Sequence, residues 1–139
     1  MIVDTSAAVA ILKGEPEAEW LREQMEQAGA LRMSAGSVLE LAMVVGRSDP
    51  GLVDLFLEEL RIQVLAVDAA HLTWARRAFE RFGRGSGSAA RLNYGDCLTY
   101  AASKVTGEPL LFTGDDFGHT DLDSRPRFDT RAASLEWEV

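Results

Sequence analysis

Short apolar runs that alternate with longer helical segments constrain this chain most. Residues 1–4 are apolar up to Asp4 and too few for more than a buried strand end, while Leu31–Ser34, Ile62–Val67 and Pro109–Thr113 read as further strands. AAVAILKG after Thr5-Ser6 is helix-like and ends at Gly14; Glu15-Pro16-Glu17 opens a second helix that carries Trp20, Leu21 and Met25 and closes at Gly29. Ser34 or Ser37 caps a third helix running to about Arg47, and Leu52–Leu60 follows the break at Asp49-Pro50-Gly51. Asp68 caps a long helix whose apolar positions are Leu72, Ala75, Phe79 and Phe82, and the glycine- and serine-rich loop Gly83–Ser88 ends it. Asn93–Thr106 is the last helix; the stretch from Ser124 is weakly patterned, with Phe128 a candidate for a closing strand. Strands separated by helices imply an α/β fold with a largely parallel sheet covered on both faces. In such sheets functional groups gather beyond the carboxyl ends of the strands.

At 139 residues and 47% hydrophobic content, the expectation is a single domain spanning 1–139. Cys97 is the only cysteine, so no intrachain disulfide can form within this sequence. No basic segment leads into a long apolar run, and the strongest apolar stretch, residues 38–45, is too short to span a bilayer and contains Glu40. A cytoplasmic protein without membrane contact is expected. The net charge of −8 opposes bulk electrostatic binding of nucleic acid, yet residues 76–91 hold five arginines against the single acid Glu80. That stretch is either a solvated helix face and loop or a local basic patch.

Four acids sit at junctions between elements. Asp4 ends the first strand, where it also suits an N-cap. Glu40 is the only charge in VLELAMVV, and it is either the partner of Ser37 in a capping box or a carboxylate in need of a partner. Asp96 lies in the first turn of the helix from Asn93, behind a Gly95 that suggests close approach to the backbone. Asp115 and Asp116 directly follow a strand. All these positions can converge at one edge of a parallel sheet. Each carboxylate pair at about 4 Å would then cost roughly 4 kcal/mol at an effective dielectric near 20, which a stability of about 5–15 kcal/mol cannot absorb repeatedly. The cluster needs protons or a divalent cation. All-oxygen ligands suit Mg²⁺, or Mn²⁺, over zinc, and His71 and His119 lack zinc spacing. Open carboxylate Mg²⁺ sites serve phosphoryl chemistry, and neither a G-x-x-x-x-G-K-[ST] loop nor a G-x-S-x-G elbow offers competing machinery.

MIVDTSAAVAIL, SAGSVLELAMVV and LNYGDCLTYAASKVTGEPLLFTGDDFGHTDL, in that order, resemble the PIN-domain ribonucleases, and most closely the VapC toxins of toxin–antitoxin pairs. The resemblance runs from Met1 to about Leu122, and NYGDC followed by LLFTGDDF is its most specific part. It implies a three-layer α/β/α fold with a short, mainly parallel sheet, and endonucleolytic cleavage of structured RNA with Mg²⁺ or Mn²⁺. By position Asp4, Glu40 and Asp96 match the family's first three acids; Asp116, directly before Phe117, is favoured as the fourth over Asp115. Asp4, Asp96 and Asp116 would hold metal, and Glu40 would bind a second ion or orient water. Thr5 or Ser6, and Thr113, would be supporting hydroxyls, and Lys13, Arg84 and Arg91 would hold the RNA backbone. Metal-activated water would attack the phosphodiester in line, leaving a 5′-phosphate and a 3′-hydroxyl. A homodimer and a small antitoxin whose tail blocks the acidic groove are also implied.

Two other readings compete. A phosphohydrolase using Asp4 as covalent nucleophile is disfavoured, because Asp4-Thr5-Ser6 lacks a second aspartate two residues on. A non-catalytic acidic domain that binds a basic partner would need no metal at all.

Overall fold

In the computed structural model, residues 1–122 are described; Phe128 and the remainder of the expected 1–139 domain lie outside them. The element order is β1 (Ile2–Val3), α1 (Thr5–Leu12), α2 (Ala18–Ala28), β2 (Leu31–Ser34), α3 (Ala35–Val45), α4 (Leu52–Glu59), β3 (Ile62–Leu65), α5 (Ala69–Phe82), α6 (Tyr94–Thr106), β4 (Leu110–Leu111) and a 3₁₀ turn at Asp116–His119. Among the described residues the strands form one sheet in the order β3-β2-β1-β4, and every pairing is parallel.

Adjacent residues of a strand point to opposite faces, and here they serve two separate cores. Val3 and Leu111 join Ala7, Ile11, Leu21, Met33, Leu41 and Phe56 on one face. Ile2 and Leu110 join Ala78, Leu92, Tyr100, Ala101 and Phe117 on the other. Helices α1–α4 therefore cover one side and α5 and α6 the other, which gives the three α/β/α layers. Strands two residues long suffice because both of their side chains are fully buried.

Caps set where each helix enters. Ser34, not Ser37, caps α3, its hydroxyl accepting the Gly36 N–H at 3.3 Å. This removes the Ser37–Glu40 capping box: Ser37 is buried inside the helix, so Glu40 is free of that duty. Asp68 caps α5, accepting the His71 N–H at 3.0 Å. Of the four apolar positions of α5, Ala75 is buried and Phe82 packs against the second core, whereas Leu72 and Phe79 are 56% and 58% exposed. His71 and Ala78 face inward beside Ala75, and small alanines let α5 lie close against the Ala101–Ala102 face of α6. Downstream of β4, Asp121 accepts from the Tyr100 hydroxyl at 2.7 Å and from Lys104 Nζ at 2.9 Å. These bonds hold the segment after the 3₁₀ turn against α6.

Candidate active site

Parallel strands share one carboxyl edge, and the acids arrive there by three routes. Asp4 follows β1 directly and caps α1, with Oδ2 accepting the Ser6 N–H at 3.0 Å. It is 4% exposed. Its Oδ1 accepts from Thr99 Oγ1 at 2.6 Å, a short O–H···O bond. Glu40 stands on α3 a turn and a half beyond its cap. Asp96 lies in the first turn of α6, which begins at this edge because it descends to feed β4. There Asp96 and Asn93 make a reciprocal capping box: Asp96 accepts the Asn93 N–H at 3.0 Å and donates its own N–H to Asn93 Oδ1 at 2.9 Å.

Gly95 explains how Glu40 reaches this helix. A Cβ on Gly95 would collide with Glu40 Oε2 and lie 2.9 Å from its carboxyl carbon. Any larger residue would push the carboxylate away from the α6 N-terminus. The electrostatics of Asp96 report the resulting crowding. Burial, and then the charges of Asp4, Asp116 and Glu40, push its carboxyl up to about 6 against the opposing pull of the Asn93 N–H. None of these four acids makes a salt bridge among the described residues, where the pairs are Met1–Glu108, Arg32–Glu108, Arg81–Asp121 and Lys104–Asp121. Asp116 opens the 3₁₀ turn, whereas Asp115 sits before it and is absent from the charges acting on Asp96.

Comparisons with known proteins decide the family. The PIN domain family model matches residues 1–122. Ribonuclease VapC42 of Mycobacterium tuberculosis is 52% identical over 126 residues, covering 88% of this chain and 96% of the relative. Ribonuclease VapC of Mycolicibacterium smegmatis is 44% identical over 126 residues, covering 88% and 97%. This chain belongs to the PIN-domain family, as a ribonuclease of the VapC type. The crystal structure of M. tuberculosis VapC20, a sarcin–ricin loop cleaving toxin, superposes with a TM-score of 0.64 at 18% identity, covering 90% of this chain and 98% of that one. At that identity the match speaks for the shared fold.

Within this PIN domain the other expected residues are distributed unevenly. The Thr5 hydroxyl donates to the Ser37 carbonyl at 3.0 Å rather than to a carboxylate. Ser6 Oγ accepts the Thr113 N–H at 3.0 Å, tying the start of α1 to the loop that leads to Asp116. Lys13 caps the far end of α1, roughly 13 Å from Asp4 by helix rise, and stands apart from the cluster. Arg84 and Arg91 are closer: the Gly83–Leu92 bridge brings both segments to the entrance of α6. Arg91 has a positive φ of 50°, a costly conformation for a residue with a Cβ. Sequence reasoning missed two buried hydroxyls, Thr99 and Ser37, whose oxygens are 2.9 Å apart. Only the i+3 spacing of Thr99 from Asp96 hinted that they share a helix face.

The VapC resemblance implies a divalent cation, and the donor set suits one. Among the described residues no three His, Cys, Asp or Glu side chains form a ready-made metal shell. Mg²⁺ is commonly held by one or two carboxylates and otherwise by water and substrate phosphate. Hard oxygen donors, an unneutralised cluster and a raised Asp96 all fit that cation.

Proposed function

We propose that this VapC-type toxin ribonuclease cuts structured RNA in a Mg²⁺-dependent reaction centred on Asp4, Glu40, Asp96 and Asp116. The observation that carries this reading is the raised Asp96 carboxyl, crowded by three other acids with no cation paired to any of the four among the described residues. Asp4, Asp96 and Asp116 would hold the ion. Bound Mg²⁺, or Mn²⁺ in its place, would activate water and neutralise charge on the phosphate.

The protein's own groups divide the remaining work. Asp4 keeps acceptor capacity after its bonds to Thr99 and Ser6, since each carboxylate oxygen has two lone pairs. Glu40, half-exposed and held against Gly95, orients the water that attacks the phosphorus. Arg84 and Arg91 grip the RNA backbone at the entrance of α6, offsetting the repulsion between the acids and phosphate. In-line attack leaves a 5′-phosphate and a 3′-hydroxyl.

Protein partners belong to the same reading. Leu39, Met43 and Val44 on α3 and Leu55 on α4 are exposed apolar side chains, a surface that supports contact with a second copy or a small antitoxin. No helix among the described residues is long and apolar enough to cross a membrane, and we assign the protein to the cytoplasm. The test is incubation of the purified protein with total cellular RNA, with Mg²⁺ and then with chelator, followed by mapping of cut ends. Discrete cuts with 5′-phosphates that vanish in chelator are expected; the same cuts in chelator would overturn the proposal.

A further inference from the structure

We infer that Ser37 and Thr99 form a proton-ordered hydroxyl pair that positions Asp4 and thereby sets the cation affinity of the site, an inference that rests on the reading of Asp4 as a cation ligand. Thr99 Oγ1 lies 2.6 Å from Asp4 Oδ1 and 2.9 Å from Ser37 Oγ. An ionised carboxylate can only accept, and a hydroxyl has one proton to give. Thr99 therefore donates to Asp4, and Ser37 must donate to Thr99. No other order satisfies both contacts, so the protons run from Ser37 to Thr99 to Asp4.

The location of the pair makes this more than a satisfied core. Thr99, Ser37 and Asp4 are all buried, with Thr99 fully enclosed. Within the low dielectric there, each donation strengthens the next. Thr99 stands three residues after Asp96 on α6, and Ser37 stands three residues before Glu40 on α3. Residues at that spacing share a helix face. The pair thus joins the three elements that carry Asp4, Glu40 and Asp96. With Oδ1 taken by Thr99 and Oδ2 by the Ser6 N–H, Asp4 cannot rotate away when a cation or phosphate approaches. Thr99 and Ser37 touch no reacting atom and are positioning residues.

The experiment titrates Mn²⁺ onto the full chain, read by water-proton relaxation, for wild type, Thr99→Val, Thr99→Ser, Ser37→Ala and Asp4→Asn. Thermal melting in chelator checks that each is folded. Thr99→Val keeps the shape and loses the hydroxyl, and should weaken Mn²⁺ binding by about ten- to a hundredfold, the usual effect of removing a ligand's supporting hydrogen bond. Thr99→Ser should return affinity to within about threefold of wild type. Ser37→Ala, which leaves the Thr99 donation but removes its support, should weaken binding by about threefold and decides the matter if Thr99→Val does not fold. Folded Thr99→Val that binds like wild type overturns the inference while leaving Asp4 as a ligand. Thr99→Ser as weak as Thr99→Val overturns it as well, since the hydroxyl would not be the cause. Wild type that binds no better than Asp4→Asn removes the cation reading itself, and this inference with it.

Discussion

Asp96→Asn should stabilise the metal-free protein while abolishing cleavage, two effects that a merely structural aspartate would not combine. The Asp96 carboxyl is raised from 3.8 to about 6, first by burial and then by Asp4, Asp116 and Glu40. A rise of that size corresponds to about 3 kcal/mol of destabilisation when the group is ionised. Asp96 is only half-buried, and solvent screening reduces the figure to about 1–2 kcal/mol. Asparagine keeps an oxygen to accept the Asn93 N–H, but loses the charge at the helix N-terminus, worth about 0.3–1 kcal/mol. The net gain is about 0–1.7 kcal/mol, or roughly 0–6 °C in Tm for a chain of this length. The sign follows from proton linkage. Between the unfolded value near 4 and the folded value near 6 the native state holds more protons, so wild-type stability falls as pH rises through that window. Thermal melts in chelator should therefore show the asparagine variant ahead at about pH 7.5 and level or behind at about pH 4. Mg²⁺ should raise the Tm of wild type and not of the variant. A variant less stable than wild type at neutral pH, or a gap that ignores pH, would refute the crowding of Asp96.

Three further outcomes follow from the same geometry. Gly95→Ala should leave stability within about 1 kcal/mol, because the clash is with the flexible end of Glu40, yet lower the cleavage rate at least about tenfold; full activity would show that Glu40 need not sit there. Asp116→Asn should reduce Mg²⁺-dependent cleavage at least about tenfold while Asp115→Asn stays within about twofold, measured side by side on one RNA. Arg91→Gly should relieve a left-handed backbone and stabilise the fold by about 1 kcal/mol, while raising KM for RNA with little change in kcat; an unchanged KM would remove Arg91 from the RNA surface.

Much of this site was legible in the sequence because strand ends and helix starts carry local signals. Asp4 after Ile2–Val3, and Asp96 between Asn93 and the apolar run of α6, fall where the parallel sheet gathers its functional groups. Glu40 was legible as an anomaly, a single charge in an apolar helix, but its route to Asp96 depends on a side-chain approach that Gly95 permits and no spacing rule encodes. The neighbours Asp115 and Asp116 are separated only by the start of a 3₁₀ turn, a boundary too fine for local propensity. Thr99 and Ser37 look like ordinary helical polar residues until α3 and α6 meet. Along α5, periodicity marks Leu72, Ala75, Phe79 and Phe82 alike as apolar, and close packing on α6 buries Ala75 and Ala78 while leaving Leu72 and Phe79 exposed.

On the proposed reading, the four acids act on RNA through a divalent cation. The deciding measurement is single-turnover cleavage of one mapped RNA, followed as free Mg²⁺ is raised from chelated zero for wild type and Asp4→Asn. Wild type should show a saturable rise from no cleavage and reversal on adding chelator, and Asp4→Asn a flat trace. A wild-type rate independent of Mg²⁺, or an Asp4→Asn trace that follows wild type, would contradict it.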